Sequence, residues 1–562
     1  MRSVRCSMLD VFAAVVYSLL PGAVIAEALP GAEQLAAQSA RFAPVDIVVD
    51  LAGLPEQERA AVAKLVEASR YVDALFMRQR FAGTNALLLQ SLSDQSALGR
   101  ARVEYFLLNK GPWSELDEDR AFLPGVGVKP QSANFYPNDA TRAQIDTWMQ
   151  GLPAAQKSEA TGFFTTIRRD AQGNFIAVPY SLEYQGELMA MAQMLREAAA
   201  LTQQPTLKSF LEKRAAAFVS NDYYASDVAW MELDASIEPT IGPYEVYEDE
   251  WFNFKAAFEA FITLTDADET QKLKRFSAQL QDLEDHLPID SKFRKPKIGG
   301  YSPIRVVNVV YSAGDANHGV QTAAFNLPND ERVVAEKGSK RVLLKNFQHA
   351  KFDKVLLPIA DVALAQPERA LVSFDAFFTH ILMHELMHGL GPQTIAVDGR
   401  QTTVRQELKE LSGPLEEAKA DVSGLWALQY LTDKGFLDKK VERNIYVTFL
   451  ASSFRTLRFG LNAAHAKGMA LQVNNLLDAK AIRVDSDGRF SVDVPKAKRA
   501  ITALTRQIMT LQAHGDYAGA KQLLDRMVVI RPEIQRVLDR LGSVPVDIAP
   551  QFVTANALHS QP

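Results

Sequence analysis

Apolar positions recur every three or four residues, with charged positions between them, over residues 56–79, 186–201 and 206–218. That spacing stacks the apolar side chains on one face of a helix, so each stretch predicts an amphipathic helix. The texture changes between residues 298 and 358. Arg305-Val306-Val307-Asn308-Val309-Val310-Tyr311 and Lys354-Val355-Leu356-Leu357-Pro358 are β-branched or apolar runs bounded by turn residues, and both read as strands. Helical periodicity returns over 373–477, gives way to a short polar hairpin near 484–494, and resumes over 496–541. There is no internal repeat. The pattern predicts a mainly α protein with a smaller β component, an α+β fold.

Composition narrows this picture only slightly. A chain of 562 residues that is 47% hydrophobic can bury more than one core. A net charge of −6 without any basic run argues against a nucleic-acid partner. The N-terminus says more. Arg2 and Arg5 precede an apolar stretch over 11–20, and Val24-Ile25-Ala26 offers small residues for cleavage. Residues 1–26 therefore read as an export signal leading to the periplasm or outside the cell, with the cytoplasm as the alternative because Asp10 edges the apolar run. About ten apolar residues cannot span a bilayer, so no stable membrane insertion is expected. The one cysteine, Cys6, lies inside that segment. A mature chain without it has no thiol nucleophile, thiolate metal site or disulfide.

The chemistry concentrates at His384-Glu385-Leu386-Met387-His388. Residues four apart share a helix face, so both imidazoles can reach one metal ion, and Glu385 sits where it can take a proton from a water. Further on comes Ser412-Gly413-Pro414-Leu415-Glu416-Glu417-Ala418-Lys419-Ala420-Asp421. Proline after Ser-Gly is a good helix start, which places Glu416 and Glu417 in the first turn, where the helix dipole favours the ionised carboxylate that binds zinc. Asp421 is one turn beyond Glu417 and can hydrogen-bond a ligand imidazole. Ala420 and Gly424 allow close packing along the same face. His380 extends the histidine stripe by one turn, but a His380/His384 pair lacks the following glutamate, so it reads as a support or core residue. His318 and His349 have no partner at ligand spacing and read as surface residues.

With these segments in hand, the chain resembles the dipeptidyl peptidase III family of zinc peptidases. Glu416 to Asp421 matches that family's Glu-Glu-x-x-Ala-Glu motif, which implies Glu417 as the zinc ligand and Glu416 behind it. Phe325-Asn326-Leu327-Pro328-Asn329 is similar to its G-x-N-x-P-N segment, which implies that Asn326 and Asn329 hold substrate backbone and N-terminus. Ala464-His465-Ala466 resembles the downstream histidine segment, implying His465 beside the substrate carbonyl. Ile237-Glu238-Pro239-Thr240-Ile241-Gly242 looks like the family's Glu-x-Tyr-Ile-Gly, and Phe258-Glu259-Ala260-Phe261 like its Phe-Glu-Gly-Phe. That match implies Glu238 as receptor of the substrate ammonium.

The chain departs from the family at two places. Its histidine motif has five residues instead of the usual six, the easier spacing on a regular helix. Thr240 replaces the family's catalytic tyrosine, while Tyr244 and Tyr247 lie nearby. The resemblance implies two lobes around a wide cleft: a lower lobe over roughly 27–358 with its β-rich part near 298–358, a helical zinc lobe over 359–495, and C-terminal helices over 496–562, the lobes being discontinuous in sequence. It implies one Zn2+ per chain, held by His384, His388 and Glu417, with Glu385 and His465 catalytic and Glu416, Asp421 and His380 behind them. The expected activity is hydrolysis of short peptides by a monomer, releasing N-terminal dipeptides. The alternatives are a zinc hydrolase of a non-peptide amide or ester, and a non-catalytic binding protein.

Overall fold

In a computed structural model, residues 28–298 and 303–559 are described; the expected export signal lies outside them. The predicted amphipathic helices form at Glu56–Arg80 (α1), Gln185–Leu201 (α2) and Pro205–Ser220 (α3), all preceded by strand β1, Phe42–Asp46. The apolar face of α1, with Val62, Leu65, Val72 and Leu75 fully buried, packs on a five-stranded sheet.

That sheet is larger than the sequence suggests. It comprises Thr240–Glu245 (β2), Ala257–Thr265 (β3), Ile304–Gly314 (β4), Ala324–Leu327 (β5) and Lys340–Leu344 (β6), in the spatial order β2-β3-β4-β6-β5. β4 and β6 are parallel, and the other neighbours antiparallel. β2 and β3 escape a search for alternation because nearly every residue in them is buried, as in a strand covered on both faces. The expected strand at 354–358 is instead helical: a π-turn over Phe352–Leu356 runs into the helix Leu357–Ala363. A short apolar run fits either state, and here Val355 and Leu356 are buried among helices.

The helical region follows as Phe374–Met387 (α4), Ser412–Asp433 (α5), Glu442–Leu457 (α6), Ala464–Asp478 (α7) and Val494–His514 (α8). The hairpin forms from Ile482–Val484 and Phe490–Val492. The chain then crosses back, and Asp547–Gln551 (β7) pairs in parallel with β1. So the C-terminal segment is not helical throughout.

Buried apolar side chains among the described residues form two large clusters, one for each lobe of this α+β fold, and a small third one. The sheet feeds both. Val306 and Leu343 point into the helical cluster, while Val307, Val342 and Leu344 point into the other, as strand alternation requires. Among the described residues no helix is long and apolar enough to cross a membrane.

Candidate metal centre and substrate cleft

Helix α4 starts at the cap Ser373, whose hydroxyl accepts from the Ala376 amide, with Asp375 in the first turn. It is buried on most sides, so His384 and His388 are placed by packing rather than by an exposed stripe. Helix α5 lies against it through Gly424, where a Cβ would sit 3.3 Å from the His384 backbone nitrogen. Helix α7 closes on α5 through Gly468, where a Cβ would be 2.9 Å from the Ala418 nitrogen. These two close approaches bring three helices onto one point.

At that point His384 Nε2 and His388 Nε2 are 3.1 Å apart, and Glu417 Oε2 is 3.4 and 3.9 Å from them. Ligands of a tetrahedral zinc stand about 3.3 Å from one another, from bonds of about 2.0–2.1 Å. The buried Glu417 Oε2 accepts no hydrogen bond, although His465 Nε2 also lies 3.0 Å away. An orphaned carboxylate oxygen facing imidazole nitrogens is what a cation site leaves behind when only its protein half is considered. The residues fit a zinc ion.

The outer contacts orient these donors. His384 Nδ1 donates to Asp421 Oδ1 at 2.8 Å, and His388 Nδ1 donates to Glu416 Oε1 at 2.8 Å, which leaves both Nε2 lone pairs turned inward. Burial favours neutral imidazole, yet Asp421 and Glu417 outweigh it and push the His384 proton affinity up to about 10. The same carboxylates would attract a divalent cation. Burial works against the Glu416 charge, but Lys419 and His388 pull its pKa down to about 2. His380 Nε2 donates to the Asp421 backbone oxygen at 3.1 Å, so His380 holds α5 rather than facing the cluster.

Lys419, unremarked in the sequence, is fully buried. It donates to the Met387 and Leu390 oxygens at the end of α4 and pairs with Glu416 at 2.8 Å. Its position three residues after Glu416 was the available signal. The expected first-turn placement of the two glutamates is corrected: α5 begins at Ser412, so they fall in its second turn. The dipole acts on them less, and Lys419 does more.

Across the cleft, edge strand β5 presents Asn326, with Asn329 just beyond it; both are exposed. Asn326 lies opposite Arg341 of β6, and the Arg341 guanidinium reaches over to the Glu385 carboxylate. A cavity of about 750 Å³ contains Asn326 and Asn329 together with Glu245, Tyr247, Glu259 and Asp315. Burial, with Asp315 beside it, pushes Glu245 up to about 7; burial pushes Asp315 up to about 6, against the pull of His318. A second cavity of about 230 Å³ meets the first at Ala324 and contains His384, Glu385 and His465.

The expectations for Glu238 and His318 are overturned here. Glu238 does not face the cleft. It is 1% exposed, accepts from Lys340 Nζ at 2.5 Å, and has Arg305 at 3.8 Å, so a buried ion pair consumes it. Glu245, Glu259 and Asp315 line the cleft instead, together with Glu115, Asp119, Glu248 and Glu250. Of the two tyrosines near Thr240, Tyr247 lines the cleft and is three-quarters exposed, while Tyr244 is buried against Arg214. The signal was present: the Glu-x-Tyr spacing missing at Glu238-Pro239-Thr240 occurs seven residues later as Glu245-Val246-Tyr247. His318 is likewise no surface residue. It is largely buried beside Glu115, Glu248 and Asp315, and Arg80 and Lys129 also pair with Glu248.

A zinc-type triad with an adjacent glutamate, set across a cleft from an exposed strand edge, defines a metallopeptidase. The profile of peptidase family M49 matches residues 142–398. Dipeptidyl-peptidase III from Corallococcus sp. strain EGB is 60% identical, with a TM-score of 0.78 over 94% of this chain and 99% of that one. The DPP III of Caldithrix abyssi is 45% identical, with a TM-score of 0.89 over 92% and 99%. Nudix hydrolase 3 of Arabidopsis thaliana is 41% identical over 573 residues, 93% of this chain and 74% of that protein. The chain belongs to peptidase family M49, the dipeptidyl peptidase III family.

Proposed function

We propose that this chain is a zinc-dependent dipeptidyl peptidase that removes N-terminal dipeptides from short peptides. The observation that carries the reading is the inward-facing set His384, His388 and Glu417 with Glu385 beside it, opposite an open strand edge. His384, His388 and Glu417 would hold zinc, which supplies polarisation of the scissile carbonyl and a water of lowered pKa.

The remaining work falls to the chain's own side chains. Edge strand β5 offers unpaired backbone groups, so an extended peptide adds to it antiparallel, with Asn326 and Asn329 pairing to its amides. This orientation directs the substrate N-terminus toward Glu245, Glu259 and Asp315, whose carboxylates receive its ammonium. Glu385 accepts the proton of the attacking water and returns it to the leaving amine. Arg341 holds one Glu385 oxygen, Oε2, and leaves Oε1 for that transfer. His465 stands beside the developing oxyanion, and the exposed Tyr247 hydroxyl is available from the substrate side.

The test is dipeptide release from short peptides by wild type and Glu385→Gln, with zinc quantified in both. Dipeptides from wild type and a zinc-loaded, inactive variant are expected. Cleavage that persists in the variant, or wild type that releases single residues or internal fragments, would overturn the reading.

A further inference from the structure

We infer that the smaller cavity is a carboxylate-binding subsite for the part of the substrate that follows the cleaved bond, with Arg455 as its receptor. The inference rests on the peptidase reading above and adds the chemistry of the leaving portion.

Arg455 projects from α6 into the cavity that contains Glu385, His384 and His465. Among the described residues its guanidinium makes no hydrogen bond and has no carboxylate within 4 Å. Asp547 acts on it electrostatically, but that carboxylate is already taken by Lys351 Nζ at 2.8 Å and the Gln321 amide at 2.7 Å. Arg458 on the same helix donates to the Pro545 and Val544 oxygens and brings no negative charge. A partly buried guanidinium that faces a cavity without a paired carboxylate is free to receive one. Arginine adds a planar fork of donors that matches a carboxylate.

The walls suit that role. Phe377, Ile381, Phe449 and Met469 give the cavity one apolar wall, Ser452 and Thr456 line it beside Arg455, and Glu385 and Asp421 lie on its metal-facing side. Direction agrees as well. β5 runs from Ala324 to Leu327; its far end leads to Asn329 in the acidic cavity, while of the near end Ala324 lines both cavities and Ala323 only this one. A peptide antiparallel to β5 with its ammonium among the acids therefore sends its C-terminal side toward Arg455. The volume of about 230 Å³ suits one residue. The carboxylate is either the C-terminus of a tripeptide or an acidic side chain just after the cleaved bond.

Three tripeptides sharing their first two residues separate these sources: a free acid with alanine third, its C-terminal amide, and an amide with glutamate third. Wild type is expected to favour the free acid over the alanine amide by about 10- to 100-fold in kcat/KM, the size of a charge-assisted contact. Recovery with the glutamate amide assigns a side-chain carboxylate, and its absence assigns the C-terminus. In Arg455→Gln the acid-to-amide ratio should fall to about one, and in Arg455→Lys remain intermediate. Ser452→Asp, which sets a fixed carboxylate in the wall, should also collapse the ratio if Arg455→Gln fails to fold. Equal rates for all three peptides in wild type, or a preference for the carboxylate-bearing peptide that is unchanged in these variants, would overturn the inference. Calorimetric binding of the same peptides to zinc-loaded Glu385→Gln reads the preference without turnover, so a failure of peptidase activity is distinguishable from a failure of the subsite.

Discussion

Replacing Asp421 by alanine removes the acceptor that fixes the His384 ring. In the native chain Asp421 Oδ1 takes the Nδ1–H at 2.8 Å, Oδ2 accepts from Gln472 at 3.2 Å, and the whole group is largely buried. Without it, two buried donors lose partners, and the proton of neutral His384 is free to move to Nε2, the atom a metal needs unprotonated. Removing such a partner typically weakens metal binding 10- to 100-fold, or about 1.4–2.7 kcal/mol. Asp421→Asn keeps an acceptor oxygen and loses only the charge, so it should fall between wild type and Asp421→Ala. Competition with a chromophoric chelator measures the zinc affinity of all three. Retention of wild-type affinity within threefold by Asp421→Ala would refute the orienting role, as would a weaker Asp421→Asn than Asp421→Ala.

Other consequences follow from the cleft. Glu245 and Asp315 have pKa values raised to about 7 and 6, so both hold protons near pH 5 that an arriving ammonium must displace. KM should therefore fall as pH rises from about 5.5 to 7.5, and Glu245→Gln should raise KM and flatten that dependence; a KM independent of pH in wild type counts against the acidic receptor. Glu238→Ala leaves Lys340 buried without its partner and should destabilise folding by about 3–5 kcal/mol in urea titrations, with little change in KM; a large KM effect without loss of stability would restore Glu238 to the substrate site. Arg341→Met frees the Glu385 carboxylate and should lower kcat about tenfold with zinc content unchanged, an effect moderated because both groups are partly exposed. If kcat is untouched, the contact across the cleft has no part in the reaction.

The same physics explains how far the chain could be read in advance. Long amphipathic helices were legible because their period is written in consecutive residues, as for Glu56–Arg80. The metal-facing residues were legible because His384/His388 and Glu417/Asp421 each repeat at one helical turn, which local geometry alone brings to one face. Strands β2 and β3 were not, since covering both faces erases alternation, and the apolar run at 354–358 carries no information on whether helices or strands will surround it.

Among the acids, sequence could say only that Glu238, Glu245 and Glu259 exist. Whether each is spent in an ion pair or open to the cleft depends on Lys340, Arg305 and Asp315, up to about a hundred residues away along the chain. The crossing of Arg341 to Glu385 and the uncompensated charge of Arg455 are of the same kind. The sequence by itself determined the metal-binding chemistry, because its donors lie at short-range helical spacings. Only the tertiary structure decided which charges meet across the cleft, because burial and pairing are properties of neighbours that the chain brings together from afar.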